Sequence, residues 1–452
     1  MARSSSPKME KMAGIDMVNV IRLLDLRGQV ISAEVVARDL PRAAIDLAAA
    51  VEDVRPLVSQ IRSGGAKALG ELAKTFDGID INPIKVNSEE LATALNFLDA
   101  DLKVSLEIAI DRVRKVSEIS KPKGFVAELA DGAFVQQRYQ PINSVGLYVP
   151  GGKAVYPSSV IMNVVPAQVA GVKKLAIATP GQKQFGGRAH PIVLATAALL
   201  GVQDVYVIGG PAAVIAFAYG IPEIGLEPVD LVTGPGNVYV AAAKRLLRGV
   251  IAIDSEAGPT EIMVIADSSA KAEFVASDLI SQAEHDELAA AVLITDSVDF
   301  AEQVMAAISE QVATTHNKQR VLAALSGQQS AIVLVDELNQ AAEIANFYAT
   351  EHLELQTSSN DELLGKISNA GAIFVGDFSP VSLGDYLAGS NHVLPTGGQA
   401  RFGSGLGVHT FLRPQQVIKY SESALSEVAN NVVAIADSEG LQAHGDAIRI
   451  RF

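Results

Sequence analysis

The chain contains no cysteine. That absence excludes a disulfide framework, a thiolate zinc site, an iron–sulfur cluster and a cysteine nucleophile together. Positive charge is scarce too: 36 Lys and Arg stand against 51 Asp and Glu, a formal net charge of −15. Nucleic acids and anionic membranes bind through basic footprints, so neither is an expected partner. No run reaches about 18 consecutive apolar residues, so no segment is expected to span a bilayer. The opening MARSSSPKMEKMAG has positive charge with no apolar stretch behind it, and no secretory leader is expected there. What the chain does have is apolar material, 49% of 452 residues. That is enough for large buried cores and for about three units of ordinary domain size. These bounds fit a cytoplasmic, acidic α/β protein and point to an enzyme.

Met17–Leu26, Ala43–Phe76 and Ser88–Ile119 carry apolar residues at helical spacing, with breaks expected at Gly64-Gly65 and Asp77-Gly78. From about Phe134 the pattern changes to short apolar runs: Lys174–Thr179, Asp204–Ile208, Val229–Thr233, Glu261–Ala266, Ala290–Thr295, Ser330–Val335 and Gly371–Val375. Helical windows such as His190–Leu200 and Ala272–Glu284 lie between them. Continuous apolar strands alternating with helices predict parallel sheets covered on both faces. The polar stretch Asp254–Thr260 (DSEAGPT) divides the strands into two doubly wound units, a reading preferred over one large sheet. A Gly-, Ser- and Pro-rich segment from Gly376 to Gly407 is long enough to carry function. Gln415–Ser438 reads as a last helix before the tail Glu439–Phe452. The expected division is a helical segment over 1–133, α/β units over 134–258 and 259–378, and a loop with a helical tail over 379–452.

Without cysteine, a transition-metal site must be built from His with carboxylate or amide oxygens. Seven histidines are available: His190, His285, His316, His352, His392, His409 and His444. His190 and His316 read as capping or solvated residues. Gln282 and His285 are spaced i, i+3 at the end of a helical window and can meet at one point, although a solvated polar turn explains the same spacing. Glu351-His352 stands where a helical window passes into a short strand. Imidazole titrates nearest neutrality and a carboxylate can activate water, so the pair suits acid–base chemistry. Adjacent strand residues point to opposite faces, however, so both reach one pocket only if the backbone turns there. Asp385, beside Gly384, can approach a metal or substrate closely, or simply form a turn. Gly234-Pro235-Gly236-Asn237 lies between a strand and a helix, the geometry that places a phosphate on a helix N-terminus. Tyr239 occupies the third glycine position of the dinucleotide fingerprint, so this turn alone is a weak nucleotide signal. Gly146–Gly152 is a second such turn.

In order, and with family-like spacing from about residue 55 onward, these segments resemble the histidinol dehydrogenases. The matching blocks include SVGLYVPGGKAVYPSSVIMNVVPAQVAGV (144–172), VTGPGNVYVAAAKRL (232–246), IDSEAGPTEIMVIAD (253–267), DLISQAEHDELAAAVL (278–293), ATEHLELQT (349–357), GAIFVGDFSPVSLGDYLAGSNHVLPTGG (371–398) and EGLQAHGDAIRIRF (439–452). The resemblance implies two incomplete Rossmann-like domains with smaller N- and C-terminal pieces, in an intertwined homodimer. It implies one Zn2+ per subunit on Gln282, His285, Asp385 and His444, with Glu351 and His352 as the catalytic pair. Substrate contacts would fall on Thr260, Gln282, His285, His352, Asp385, Glu439 and His444, and NAD contacts on Tyr148, Asn237 and Ala212. His444 and Glu439 would reach the site from the partner subunit. The implied reaction takes L-histidinol through L-histidinal to L-histidine with two NAD+. Two positions depart from the family pattern. Thr260 replaces a frequent Ser and keeps its hydroxyl, whereas Ala212, in GGPAA, replaces a Gln usual in GGAQA. The rival readings are a sister dehydrogenase acting on another small polar alcohol, a metallohydrolase and a non-catalytic binding protein.

Overall fold

A computed structural model describes residues 20–151 and 154–452. Its first elements are strand β1 (Arg22–Asp25) and helices α1 (Ala33–Asp39), α2 (Leu47–Phe76), α3 (Ser88–Asn96) and α4 (Ala100–Ser120). Here the helix expected over Met17–Leu26 is corrected. Met17–Asn19 lie outside the described residues, and Arg22–Asp25 pairs in parallel with Ala331–Leu334. So short an apolar run is ambiguous by periodicity, and an available sheet edge decides it. α2 starts at the Asp46 cap, whose Oδ1 accepts the Ala49 amide at 2.8 Å, and it breaks at Gly65, as the glycine pair predicts. The stretch Ser88–Ile119 is two helices, because Asp99 caps a new one by accepting from Leu102 N at 2.9 Å.

Next come β2 (Phe125–Ala130) and β3 (Ala133–Pro141), an antiparallel pair. The chain continues as β4 (Ser144–Tyr148), α5 (Pro157–Ala170), β5 (Lys174–Thr179), α6 (Pro191–Leu199), β6 (Asp204–Val207), α7 (Gly210–Tyr219), β7 (Leu231–Thr233), α8 (Val238–Leu247) and β8 (Ala252–Ile253). These five strands form a parallel sheet of order β6-β5-β4-β7-β8, which reverses direction between β4 and β7. In a doubly wound sheet that reversal opens a crevice at the carboxyl ends of the strands.

The second parallel sheet is built from β9 (Glu261–Ala266), α9 (Ala272–Ala283), β10 (Ala290–Thr295), α10 (Val298–Val312), α11 (Lys318–Leu325), β11 (Ala331–Leu334), α12 (Leu338–Tyr348), β12 (His352–Gln356), α13 (Asn360–Leu364) and β13 (Ala372–Val375). Its order, β1-β11-β10-β9-β12-β13, repeats the winding of the first sheet with β1 added at the edge. Alternate residues sort to two apolar layers. Ile262, Val264 and Leu293 pack under α9, α10 and α11, while Met263, Ile265 and Val292 pack under α1 and α12. Burial on both faces explains why these strands read as continuous apolar runs.

The last elements are α14 (Val381–Tyr386), β14 (Leu412–Tyr420), α15 (Glu422–Ser438) and α16 (Gln442–Arg449). The helix expected over Gln415–Ser438 is thus half strand: β14 pairs antiparallel with β3 over nine residues, and the helix begins after the Ser421 cap. β14 is exposed along nearly all its length, so no hydrophobic alternation marks it, and its partner strand lies far upstream.

Candidate active site

α12 ends at Ala349 in the left-handed region, φ 51°, the one non-glycine residue with positive φ among those described. Such a conformation costs of order 1–3 kcal/mol and persists where the surroundings enforce it. It supplies the turn that the adjacent pair needs. Glu351 lies just before β12 and His352 opens it, yet both are buried in one pocket, with Glu351 Oε2 3.6 Å from His352 Nδ1.

Glu351 Oε2 accepts from Thr260 Oγ1 at 2.5 Å and from the Glu261 amide at 2.9 Å. Thr260 Oγ1 in turn accepts from Gln282 Nε2. This chain of bonds leaves Gln282 Oε1 buried without a partner. His352 Nδ1 lies 3.1 Å from the Glu261 carbonyl, which can only accept, so Nδ1 carries the proton. His352 Nε2 is then a buried lone pair with no partner, which is what a general base presents to its substrate.

Burial pushes the Glu351 carboxyl up to about 8, against the two bonds that hold it, and Asp385 adds to the rise. Burial likewise lowers His285, His352 and His392, with Asp385 opposing it in each case. Each of these imidazoles is thereby held toward neutrality, the form that accepts a proton or ligates a metal. His392 received no role from sequence. Its Nδ1 lies 3.0 Å from the Asp385 carbonyl and its Nε2 3.2 Å from Ser159 Oγ on α5, so it joins this site to the first sheet. Its sequence signals are its place in the long Gly-rich segment and in the matching block 371–398.

Gln282, His285 and Asp385 fit a divalent transition metal: an unpartnered amide oxygen, a neutral imidazole and a carboxylate form a mixed N/O set that zinc accepts. The fourth expected ligand is elsewhere. His444 on α16 and Glu439 at the end of α15 are exposed, and this chain does not bring them to the pocket. Among the described residues, no group of three or more His, Asp or Glu could hold a metal. α15 and α16 pack chiefly on each other and leave Ile435, Ile450 and Phe452 uncovered.

The expected cofactor residues gather at the reversal of the first sheet. Tyr148 ends β4, is buried, and its hydroxyl accepts the Gly210 amide at 3.0 Å at the start of α7, where Ala212 is also buried. Gly234 follows β7 with φ 115°, and a Cβ there would lie 2.0 Å from the Tyr148 carbonyl, so only glycine fits. Asn237 caps α8, its Oδ1 accepting from Tyr239 N at 3.1 Å and Val240 N at 3.2 Å. Those two amides are therefore already satisfied by the Asn237 side chain. Of the second turn, Gly152 lies outside the described residues.

The second sheet uses its opposite edge. Thr260, Glu261, Glu351 and His352 sit at the amino ends of β9 and β12, and Gln282 and His285 at the carboxyl end of α9. The segment 391–399 ties this edge to the first unit: Asn391 Nδ2 donates to Met162 O at 2.7 Å, and Gln399 Nε2 to Glu256 O at 2.6 Å.

The family model for histidinol dehydrogenase matches residues 40–452. A histidinol dehydrogenase of Leifsonia xyli subsp. xyli is 53% identical over 432 residues, covering 96% of this chain and 99% of its own. That of Mycolicibacterium smegmatis is 53% identical, covering 95% and 97%. The crystal structure of histidinol dehydrogenase from Elizabethkingia anophelis superposes with a TM-score of 0.89 at 32% identity, over 96% of this chain and 98% of that one. The chain belongs to the histidinol dehydrogenase family.

Proposed function

We propose that this chain oxidises L-histidinol through L-histidinal to L-histidine with two NAD+, dividing the proton chemistry between His352 and Glu351. The observation that carries the reading is the free Nε2 of His352, fixed by the Nδ1 bond to Glu261 O and set beside Glu351. In the first oxidation, His352 Nε2 takes the hydroxyl proton as hydride leaves the carbinol carbon for NAD+. The aldehyde must then gain water. Glu351, in its ionised form, takes a proton from that water as the oxygen bonds to the carbonyl carbon. A second hydride then leaves the hydrate and the carboxylic acid forms. Thr260 holds Glu351 in place throughout.

Gln282, His285 and Asp385 would hold the zinc, which supplies an anchor for the nitrogen groups of the substrate and so positions it. Tyr148, Asn237 and Ala212 would line the NAD+ side. We read His444 and Glu439 as completing the site of the partner subunit in a homodimer. The uncovered apolar residues of α15 and α16, and the exposed Phe125, Val126 and Ile418 of the β2-β3-β14 sheet, support a second copy as their cover. No described helix is long and apolar enough to cross a membrane, and a cytoplasmic location suits a biosynthetic dehydrogenase.

The test is NADH formed per L-histidinol consumed, before chelation, after it and after zinc add-back. Two NADH per substrate, lost on chelation and restored by zinc, is the expected result. No turnover of histidinol by zinc-loaded dimer that still binds NAD+ would turn the reading toward a sister alcohol dehydrogenase.

A further inference from the structure

A second pair of carboxyl groups lies behind the pocket. Glu354 on β12 and Asp278 on α9 are buried, 1% and 9% exposed, and are hydrogen-bonded to each other. Two carboxyl groups in that arrangement share a proton. Gln356 Nε2 donates to both, at 3.1 Å to Asp278 Oδ2 and 2.9 Å to Glu354 Oε2. The other oxygen of Glu354 accepts the Val381 amide, the first of α14, at 2.9 Å. Neither carboxyl has a part in the proton transfers described above, and apolar residues of this volume would cover the layer at less desolvation cost.

Their placement is systematic. Asp278 precedes Gln282 by four residues on α9, so the two share a helix face. Glu354 follows His352 by two on β12, so the two share a strand face, the one turned to α9. Val381 precedes Asp385 by four on α14. One hydrogen-bonded cluster therefore joins the three elements that carry Gln282, His285, His352 and Asp385, one step behind each. Independent elements drift relative to one another by more than a metal–ligand bond tolerates, and outer-sphere hydrogen bonds are the usual restraint.

We propose that Glu354 and Asp278 are positioning residues that set the spacing of α9, β12 and α14, and so fix the geometry of the zinc ligands and of His352. This rests on the ligand assignment made above. Their hydrogen-bonding shape is what serves, so amide isosteres should substitute. In Glu354→Gln, Oε1 can still accept from Val381 and Nε2 can donate to Asp278, with the Gln356 amide turned over so that its unpartnered Oε1 accepts where its Nε2 donates in the parent. In Asp278→Asn, Nδ2 can donate to Glu354 while Oδ1 accepts from Gln356. Glu354→Met instead strands the Val381 amide and removes the partner of Asp278.

The experiment measures zinc retained per subunit against a graded competing chelator, with kcat and KM for L-histidinol at saturating zinc. Glu354→Met should weaken zinc retention about tenfold or more and lower kcat further than it raises KM, in a dimer that still binds NAD+. Glu354→Gln and Asp278→Asn should hold zinc within about threefold of the parent, scored on that same scale. If Glu354→Met does not fold, Asp278→Ala carries the same expectation. Parent-like zinc retention in the disruptive variant overturns the proposal, and so does equal loss in the isosteres. Asp385→Ala is measured alongside. Zinc retention unchanged there would overturn the ligand assignment itself, whereas its loss there without loss in Glu354→Met would overturn only the positioning role.

Discussion

Glu351 Oε2 lies 3.6 Å from His352 Nδ1, although the two residues are adjacent in the chain and would face opposite ways on a regular strand. The left-handed Ala349 and the start of β12 at His352 rather than Glu351 bring both into one pocket. The proton on Nδ1 is bound to Glu261 O, so the pair is not an ion pair, which fits the separate tasks proposed for the two groups.

The separate tasks predict separate lesions. His352→Asn should slow oxidation of L-histidinol to the aldehyde. Glu351→Gln should damage oxidation of supplied L-histidinal more than the first step. Single-turnover NADH formation from each substrate checks this, and equal loss in both half-reactions for both variants would sink the division.

Glu351 also predicts a pH dependence. Its folded pKa, about 8, is raised above the ordinary carboxyl value by burial. The stability this group contributes is therefore present at low pH and is lost as pH rises through about 8. Glu351→Gln removes that loss, so its thermal midpoint relative to the parent, both metal-free, should climb between about pH 6 and pH 9. Activity has the opposite sign: histidinal oxidation should rise through about pH 8 in the parent as Glu351 ionises, with no such inflection in the Gln variant.

A site shared between subunits should complement in trans. His285→Ala and His444→Ala chains, each inactive alone, should regain activity when mixed, through heterodimers with one intact site. Refolding tagged chains together and assaying the purified heterodimer measures it; an inactive heterodimer would place His444 outside the site.

Gly384 is packed edge-on against Phe374, where a Cβ would meet the ring at 2.5 Å. Gly384→Ala should strain α14 by about 1–3 kcal/mol, displace Asp385 and reduce zinc retention. Phe374→Leu in the same chain should recover part of the loss, measured by zinc content after dialysis.

Lys244 and Asp254 form a buried ion pair at 2.5 Å, and Asp254 also accepts the Gly234 amide at 2.8 Å, fixing the turn after β7. Lys244→Met leaves that carboxylate buried and unpaired, which should cost about 3–5 kcal/mol and weaken NAD+ binding. Denaturant midpoints and NAD+ titration read the two effects separately.

Much of this was legible in the chain. Glu261–Ala266, Ala290–Thr295 and Lys174–Thr179 are strands with the bounds their apolar runs predict, because strands buried on both faces are apolar throughout their interiors and polar only at their ends. β1 and β14 read as helix in the sequence because each is a strand only by virtue of a partner edge hundreds of residues away. The Gly234–Asn237 turn lies between a strand and a helix as its residues predict, and there Asn237 holds two of the amides that open α8.

The sequence by itself determined the chemical inventory: no thiols, few histidines, and the carboxylate, amide and imidazole side chains that proton transfer and zinc require. It also determined the alternation of strands and helices within the two parallel sheets from β5 to β13, since burial and periodicity are written locally there. Only the tertiary structure decided which edges of the sheets meet. The first sheet offers the carboxyl ends of its strands at Tyr148 and Gly234, while the second offers its amino ends at Thr260 and His352. The ties through His392, Asn391 and Gln399 across that junction, and the bond of Glu354 to Asp278 behind it, join residues far apart in the chain. Local spacing carries no information about such contacts, because they depend on how whole sheets pack.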